Sequence, residues 1–145
     1  MYTLHIVCGL PASGKTTLAK QLAKKHNAAF FDSDTATDLI IQAAHKAAGI
    51  NPHDRDSPLY KQTYREPVYD TLFALAQENL PHTNVIIAGP FTTELKNKTA
   101  WQQKLNRQFP NNQILLHHIQ IPEKQRLSQM QKRNASRDQT KLGNP

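Results

Sequence analysis

Eight residues near the start of the chain have types and spacing suited to phosphate chemistry. Gly9-Leu10-Pro11-Ala12-Ser13-Gly14-Lys15-Thr16 reads G-x-x-x-x-G-K-[ST]. Only 5 glycines occur in the 145 residues, and two of them stand here. Glycine enters backbone conformations that other residues avoid, so such a loop can curl and aim successive N–H groups at one point. Those donors, with the positive end of a following helix, would cradle the α- and β-phosphates of a nucleotide. Lys15 would reach the β- and γ-phosphates, and the Thr16 hydroxyl would ligate Mg²⁺. Pro11, Ala12, Ser13 and Thr17 complete the set of residues expected around the phosphates.

A cradle does not name what receives the phosphate. The next carboxylates, Asp32 and Asp34 in "FFDSDTATDL", follow an apolar run. Carboxyl ends of parallel strands face the ligand crevice, so either side chain could accept a proton from an acceptor hydroxyl or support Mg²⁺ through water. Asp34 is the first choice for the base and Asp32 the second. The alternative is an Asp that caps a helix. Further along, Arg126, Arg133 and Arg137 are spaced so that on a helix they fall within about a 40° arc of one face. Three guanidinium groups so aligned could close over a triphosphate; the alternative is a solvated basic face.

These groups need elements to position them, and the chain supplies an alternation of strand and helix. "TLHIVCG" is a short β-branched run of the kind found in buried parallel strands, and Leu18, Ala19, Leu22 and Ala23 then form one helical stripe. Residues 28–32 read as a second strand, and residues 35–48 as an Ala-rich helix starting on a Thr cap. Gly49 to Pro58 is loop by composition, and the long helix after it must kink or restart at Pro67. "NVIIAGP" and "QILLHHIQI" read as strands, "TELKNKTAWQQKLNRQF" as a helix, and a last helix begins at Pro122. The expected architecture is a single three-layer α/β domain over residues 1–145 with a mainly parallel sheet, and a lid segment at about 122–142.

Composition narrows the class. Hydrophobic content of 38% with scattered charge indicates a folded chain, and the single cysteine excludes an internal disulfide. No apolar run approaches the roughly 20 residues needed to span a membrane, and the N-terminus lacks a signal-peptide pattern, so a cytoplasmic location is expected. The formal charge is +7, with nearly all the surplus in residues 73–145, which suits an anionic ligand such as nucleotide or nucleic acid. Cys8, beside Gly9 on a strand, reads as a small core residue. His117 and His118 are adjacent, face opposite sides of a strand and cannot clamp one metal ion. Trp101, Tyr60, Tyr64 and Tyr69 read as helix-core packing, with base stacking as the other reading. Asp54-Arg55-Asp56 is either a cover for an acceptor pocket or an ordinary charged loop.

Taken together, "CGLPASGKTTLAKQLA", "FFDSD", "YREPVYDTLFALAQENL", "NVIIAGPF" and "RLSQMQKRNASRDQTKL" resemble the small P-loop kinases of the zeta-toxin and polynucleotide-kinase-like type, catalogued among AAA family ATPases. The resemblance implies a P-loop NTPase, nucleotide-kinase-like fold, with ATP as donor and Mg²⁺ as cofactor. It implies Asp34 as base, Arg133 and Arg137 on the phosphates with Arg126 close by, and Arg65 as a holder of the acceptor. Two departures stand out. "VIIAGPF" ends without the acidic residue that many relatives place behind Mg²⁺, which leaves the metal to Thr16, Asp34 and water. The sequence also stops at "KLGNP", where relatives commonly add a final strand and an adenine-side loop.

The leading expectation is transfer of the ATP γ-phosphate to a hydroxyl on a small molecule, nucleotide or nucleic acid. A nucleotide-dependent switch with slow hydrolysis is the second. A toxin kinase restrained by an antitoxin is the third, with the same chemistry as the first.

Overall fold

The computed structural model describes residues 1–133 and Asp138. Four strands, β1 (Thr3–Cys8), β2 (Ala29–Asp32), β3 (Val85–Gly89) and β4 (Gln113–His118), form one sheet in the order β2-β3-β1-β4. All three pairings are parallel, with Cys8 beside Gly89 and His118 and Asp32 beside Ala88. The strands therefore finish together, and the residues that follow β1, β2 and β3 emerge at one edge. Helices α1 (Lys15–His26), α2 (Ser33–Ala47), α3 (Pro58–Asn79), α4 (Lys98–Gln108) and α5 (Glu123–Arg133) complete the α/β fold.

The sheet is covered on both faces, which is why its central strands read as continuous apolar runs. Leu4, Ile6, Cys8, Val85 and Ile87 pack into a large cluster with Ile41, Leu72, Trp101 and Leu105, from α2, α3 and α4. Val7, Ile86 and Ala88 face the other way and pack on Ala19, Leu18 and Leu22 of α1. Cys8 is buried, and burial pushes its thiol up to about 11, so it behaves as a core residue. No helix among the described residues is long and apolar enough to cross a membrane.

Three local expectations need correction. Helix α2 starts at Ser33, not Thr35, because the Asp32 side chain accepts hydrogen bonds from the Asp34 and Thr35 amides at 3.0 and 3.1 Å. A carboxylate satisfies orphan first-turn donors better than the threonine further on. Helix α3 runs through Pro67 without restarting. Pro67 is on the exposed side, where water can satisfy the carbonyl left without its partner, while Val68, Tyr69, Leu72 and Ala76 face inward. Finally, the expected helix after β3 is split into a 3-10 turn at Glu94–Asn97 and α4, with the Asn97 side chain capping the latter through Ala100.

His117 has a structural partner. Its Nε2 lies 3.0 Å from Nδ1 of His5, whose ring stacks on His26 of α1 at 4.6 Å. His5 is only 3% exposed, and burial, aided by His117 and His26, lowers it to about 4.

Candidate active site

The loop between β1 and α1 is shaped by close approach. At Gly9 the backbone φ is 151°, and an added Cβ would stand 2.6 Å from the Ile119 carbonyl oxygen and 3.0 Å from Ser13 Oγ. Gly14, with φ of 97°, turns the chain into α1 and caps it without any side-chain hydrogen bond. The first turn of α1 also carries no acidic residue. It thus has no side-chain cap of the kind that Asp32 gives α2, Ser57 gives α3 and Asn97 gives α4. The Ser13 hydroxyl is buried and has no hydrogen-bond partner among the described residues. An uncapped helix start, an unsatisfied buried hydroxyl and a loop with no room for a Cβ at Gly9 fit an anion such as a nucleotide phosphate. Lys15 crosses the loop to donate to the Leu10 carbonyl at 2.9 Å.

A cavity of about 500 Å³ opens in front of this loop. Pro11, Ala12, Gly14, Lys15, Thr16 and Thr17 line one side, and Asp34, Thr37 and Asp38 of α2 line another. Gly9 and Ser13 support the loop from behind, both buried. Asp34 belongs to the first turn of α2, two residues beyond the strand end where the sequence placed it. Asp32 also lines the cavity, with Oδ2 engaged as the cap of that helix. Thr16 and Asp34 therefore share one concavity. Among the described residues no group of three or more His, Cys, Asp or Glu side chains could hold a metal ion by itself. Any divalent ion here would need oxygens from phosphate and water.

The wall opposite the loop is made of side chains. Arg55, with a side chain only 8% exposed, donates from Nε to Asp38 Oδ1 at 3.0 Å and from Nη2 to the same oxygen. Its Nη1 donates to the Pro52 and Asp54 carbonyls at 2.9 and 2.7 Å, and its guanidinium lies 5.4 Å from the Tyr60 ring centre. Burial raises the Tyr60 phenol, against the pull of Arg55. Arg65 is held more loosely: Nη2 is 3.3 Å from Thr92 Oγ1 and 3.5 Å from Glu94 Oε2. Its guanidinium lies 5.8 Å from the ring centre of Tyr69. The Tyr69 hydroxyl accepts from the Phe91 amide at 2.8 Å, and burial pushes that phenol to about 12. Phe91, at φ of 48°, is kept in this unusual conformation by that bond and by stacking on Tyr69 at 4.1 Å. The end of β3 thus presents Gly89, Pro90 and Phe91, with no carboxylate.

Arg126 and Arg133 take different partners. Arg133 lines the cavity and forks onto Asp138. Arg126 is not among the residues lining the cavity: its Nη1 is 3.4 Å from the Pro11 carbonyl and its Nη2 2.7 Å from Glu123. Those two acceptors capture it before it can reach the cavity, while its Nε is buried without a partner among the described residues. Arg137 lies outside the described residues, as does most of the expected lid beyond Arg133. Sequence reasoning passed over Asp38 as the partner of Arg55, and Asp138 altogether. The Arg55–Asp38 pairing has no local pattern, since loop and helix must first pack together.

A parallel sheet in this order, with the phosphate loop between its β1 and first helix, defines a P-loop kinase-like α/β fold. The chain belongs to the family described as AAA domain (AAA_33), whose model matches residues 4–143. It is 35% identical over 83 residues to a shikimate kinase from Chlamydia pneumoniae, covering 57% of this chain and 43% of that protein. A candidate kinase from Chloroflexus aurantiacus shares the fold with a TM-score of 0.64 and 18% identity, over 91% of this chain and 66% of the other. A sugar kinase from Janibacter sp. HTCC2649 follows with a TM-score of 0.61 and 20% identity, over 99% and 77%. The chain spans less than half the length of the shikimate kinase and just under two thirds of the Chloroflexus protein.

Proposed function

We propose that this chain is an ATP-dependent phosphotransferase that moves the γ-phosphate to a hydroxyl of a small polyhydroxylated acceptor. One observation carries this reading: the uncapped start of α1 and the Asp34 carboxyl open onto the same cavity. The amides of residues 9–16 bind the phosphate chain, and Lys15 leaves the Leu10 carbonyl to bridge the β- and γ-oxygens. Asp34 accepts the proton of the acceptor hydroxyl as its oxygen bonds to the γ-phosphorus, while the bond to the β–γ bridging oxygen breaks and ADP departs. Arg133 donates to the transferring group. Bound Mg²⁺ would neutralise β- and γ-oxygens, with the Thr16 hydroxyl and, through water, Asp34 as protein donors. Arg65, loosely held beside Thr92, and Tyr60 form the acceptor wall. The names of the shikimate kinase and sugar kinase relatives favour a small hydroxylated acceptor over a nucleotide or nucleic acid end.

The test uses γ-labelled ATP with Mg²⁺ and three acceptor pools: polyols and hydroxy acids, nucleosides with nucleotide sugars, and a 5′-hydroxyl oligonucleotide. Label on a member of the first pool, lost in Asp34→Asn and Lys15→Ala, supports the proposal. Label on an oligonucleotide would move the acceptor to the polynucleotide-kinase type. Label on a nucleotide sugar, suppressed by a co-purifying protein inhibitor, would move it to the zeta-toxin type with an antitoxin. Release of inorganic phosphate alone, equal in wild type and Asp34→Asn, would replace it with a nucleotide-dependent switch.

A further inference from the structure

A buried carboxylate stands behind the candidate lid arginine. Asp138 has a side chain only 1% exposed, yet it lines the same cavity as Lys15 and Asp34. Arg133 grips it side-on, with Nε 2.6 Å from Oδ2 and Nη2 2.8 Å from Oδ1. A carboxylate removed from water must be matched by a charge, and among the described residues Arg133 is the cation that meets it. The fork occupies one edge of the guanidinium, and among the described residues it leaves Nη1 as a donor for a ligand. Arg133 itself remains 33% exposed at the cavity.

We infer that Asp138 is a positioning residue: it fixes the plane of the Arg133 guanidinium so that Nη1 meets the transferring phosphate. The inference rests on the phosphotransferase reading above. An arginine side chain at the end of a helix is otherwise free to sample many rotamers, and a donor oriented beforehand needs no reorganisation when charge develops. The contrast with Arg126 is informative, because that side chain is spent on Glu123 and a loop carbonyl. A lysine in place of Arg133 would keep the charge but could not make the fork.

The experiment compares wild type with Arg133→Ala, Arg133→Lys, Asp138→Asn and the Arg133→Ala/Asp138→Asn double variant. It measures kcat and KM for transfer and, separately, the ratio of ATPγS to ADP affinity by calorimetry. Loss of one preorganised donor should lower kcat about 10²-fold in Arg133→Ala, with Arg133→Lys no better than about twofold above it. Asp138→Asn should lower kcat at least ~10-fold with the acceptor KM little changed, and should add less than about twofold on the Arg133→Ala background. Three results would overturn the inference: Asp138→Asn at wild-type rate or faster, an undiminished Asp138→Asn loss in the double variant, or wild-type kcat in Arg133→Lys. Should Asp138→Asn fail to fold, Arg133→Lys alone decides. Absence of transfer by wild type to any acceptor would sink the phosphotransferase reading instead. The affinity ratio still tests Asp138 in that case: it should fall equally in Arg133→Ala and Asp138→Asn, and a fall in the first alone counts against it.

Discussion

Helices α1 and α2 both begin on the cavity, and they begin in opposite ways. The start of α1 is left open: Gly14 caps it with no side chain, and no carboxylate stands in its first turn. The start of α2 is closed by the Asp32 carboxylate and carries Asp34 in its first turn. Both termini have the same four orphan donors and the same partial positive charge. What differs is which acceptor satisfies them. At α2 the protein supplies its own anion, so the terminus is a structural joint that fixes Asp34 in place. At α1 there is no side-chain cap and no acidic residue in the first turn, which suits the terminus to an anionic ligand. A helix N-terminus thus becomes a binding site through what the sequence withholds there.

The comparison can be broken most sharply at the open terminus. Lys15→Ala should lower transfer by about 10²- to 10³-fold, the scale of one lost preorganised charge contact, while the melting temperature stays close to wild type. Steady-state kinetics with a melting curve checks both halves, and loss of folding together with activity would contradict it. On the closed terminus, Asp34→Asn should cost about 10²-fold or more in transfer while nucleotide affinity changes little, as expected for a proton acceptor. Equal weakening of nucleotide binding would instead make Asp34 part of the donor site.

Smaller effects separate shape from charge. Gly9→Ala places a Cβ against the Ile119 carbonyl oxygen at 2.6 Å and should destabilise the fold by about 1–3 kcal/mol in chemical denaturation. Asp32→Ala removes the cap of α2 and should cost about 1 kcal/mol, whereas Asp32→Asn, which can still accept from Asp34 and Thr35, should cost much less. If the two Asp32 variants are equally stable but equally dead in transfer, Asp32 rather than Asp34 is the base. The last prediction lies beneath α1, at its far end. His5 is held neutral in the fold at about 4, below its ordinary 6.5, so the unfolded chain binds more protons between those values. Its contribution is fully kept above about 6.5 and is lost as pH falls toward 4. Replacing His5 with Gln should flatten the decline of melting temperature across that window, and an unchanged slope would exclude His5 as its source.

Legibility in the sequence followed the same divide between backbone and side-chain sites. The four strands, their parallel pairing and the phosphate loop were readable because each is local: continuous apolar runs, two glycines and a Lys-Thr pair. The start of α2 was misplaced because Asp32, Ser33, Asp34 and Thr35 are all competent near a helix start, and only the fold shows which one accepts. Pro67 was expected to kink or restart α3, and the helix does not restart there, because a proline on the outer face of a packed helix leaves only a solvated carbonyl to satisfy. Arg126 was grouped with Arg133 by helical spacing and by the resemblance, and neither registers the Pro11 carbonyl as a competing acceptor.

By itself the sequence determined that a phosphate-binding loop joins a buried strand to a helix, because a curled backbone requires glycine where a Cβ has no room. Tertiary structure decided everything that depends on residues distant along the chain. It brought Asp38 to Arg55 and Tyr69 to Phe91, and it placed the Pro11 carbonyl against Arg126. Such pairings come from packing helices and loops against one sheet, and their energies exist only once water has been excluded from between them.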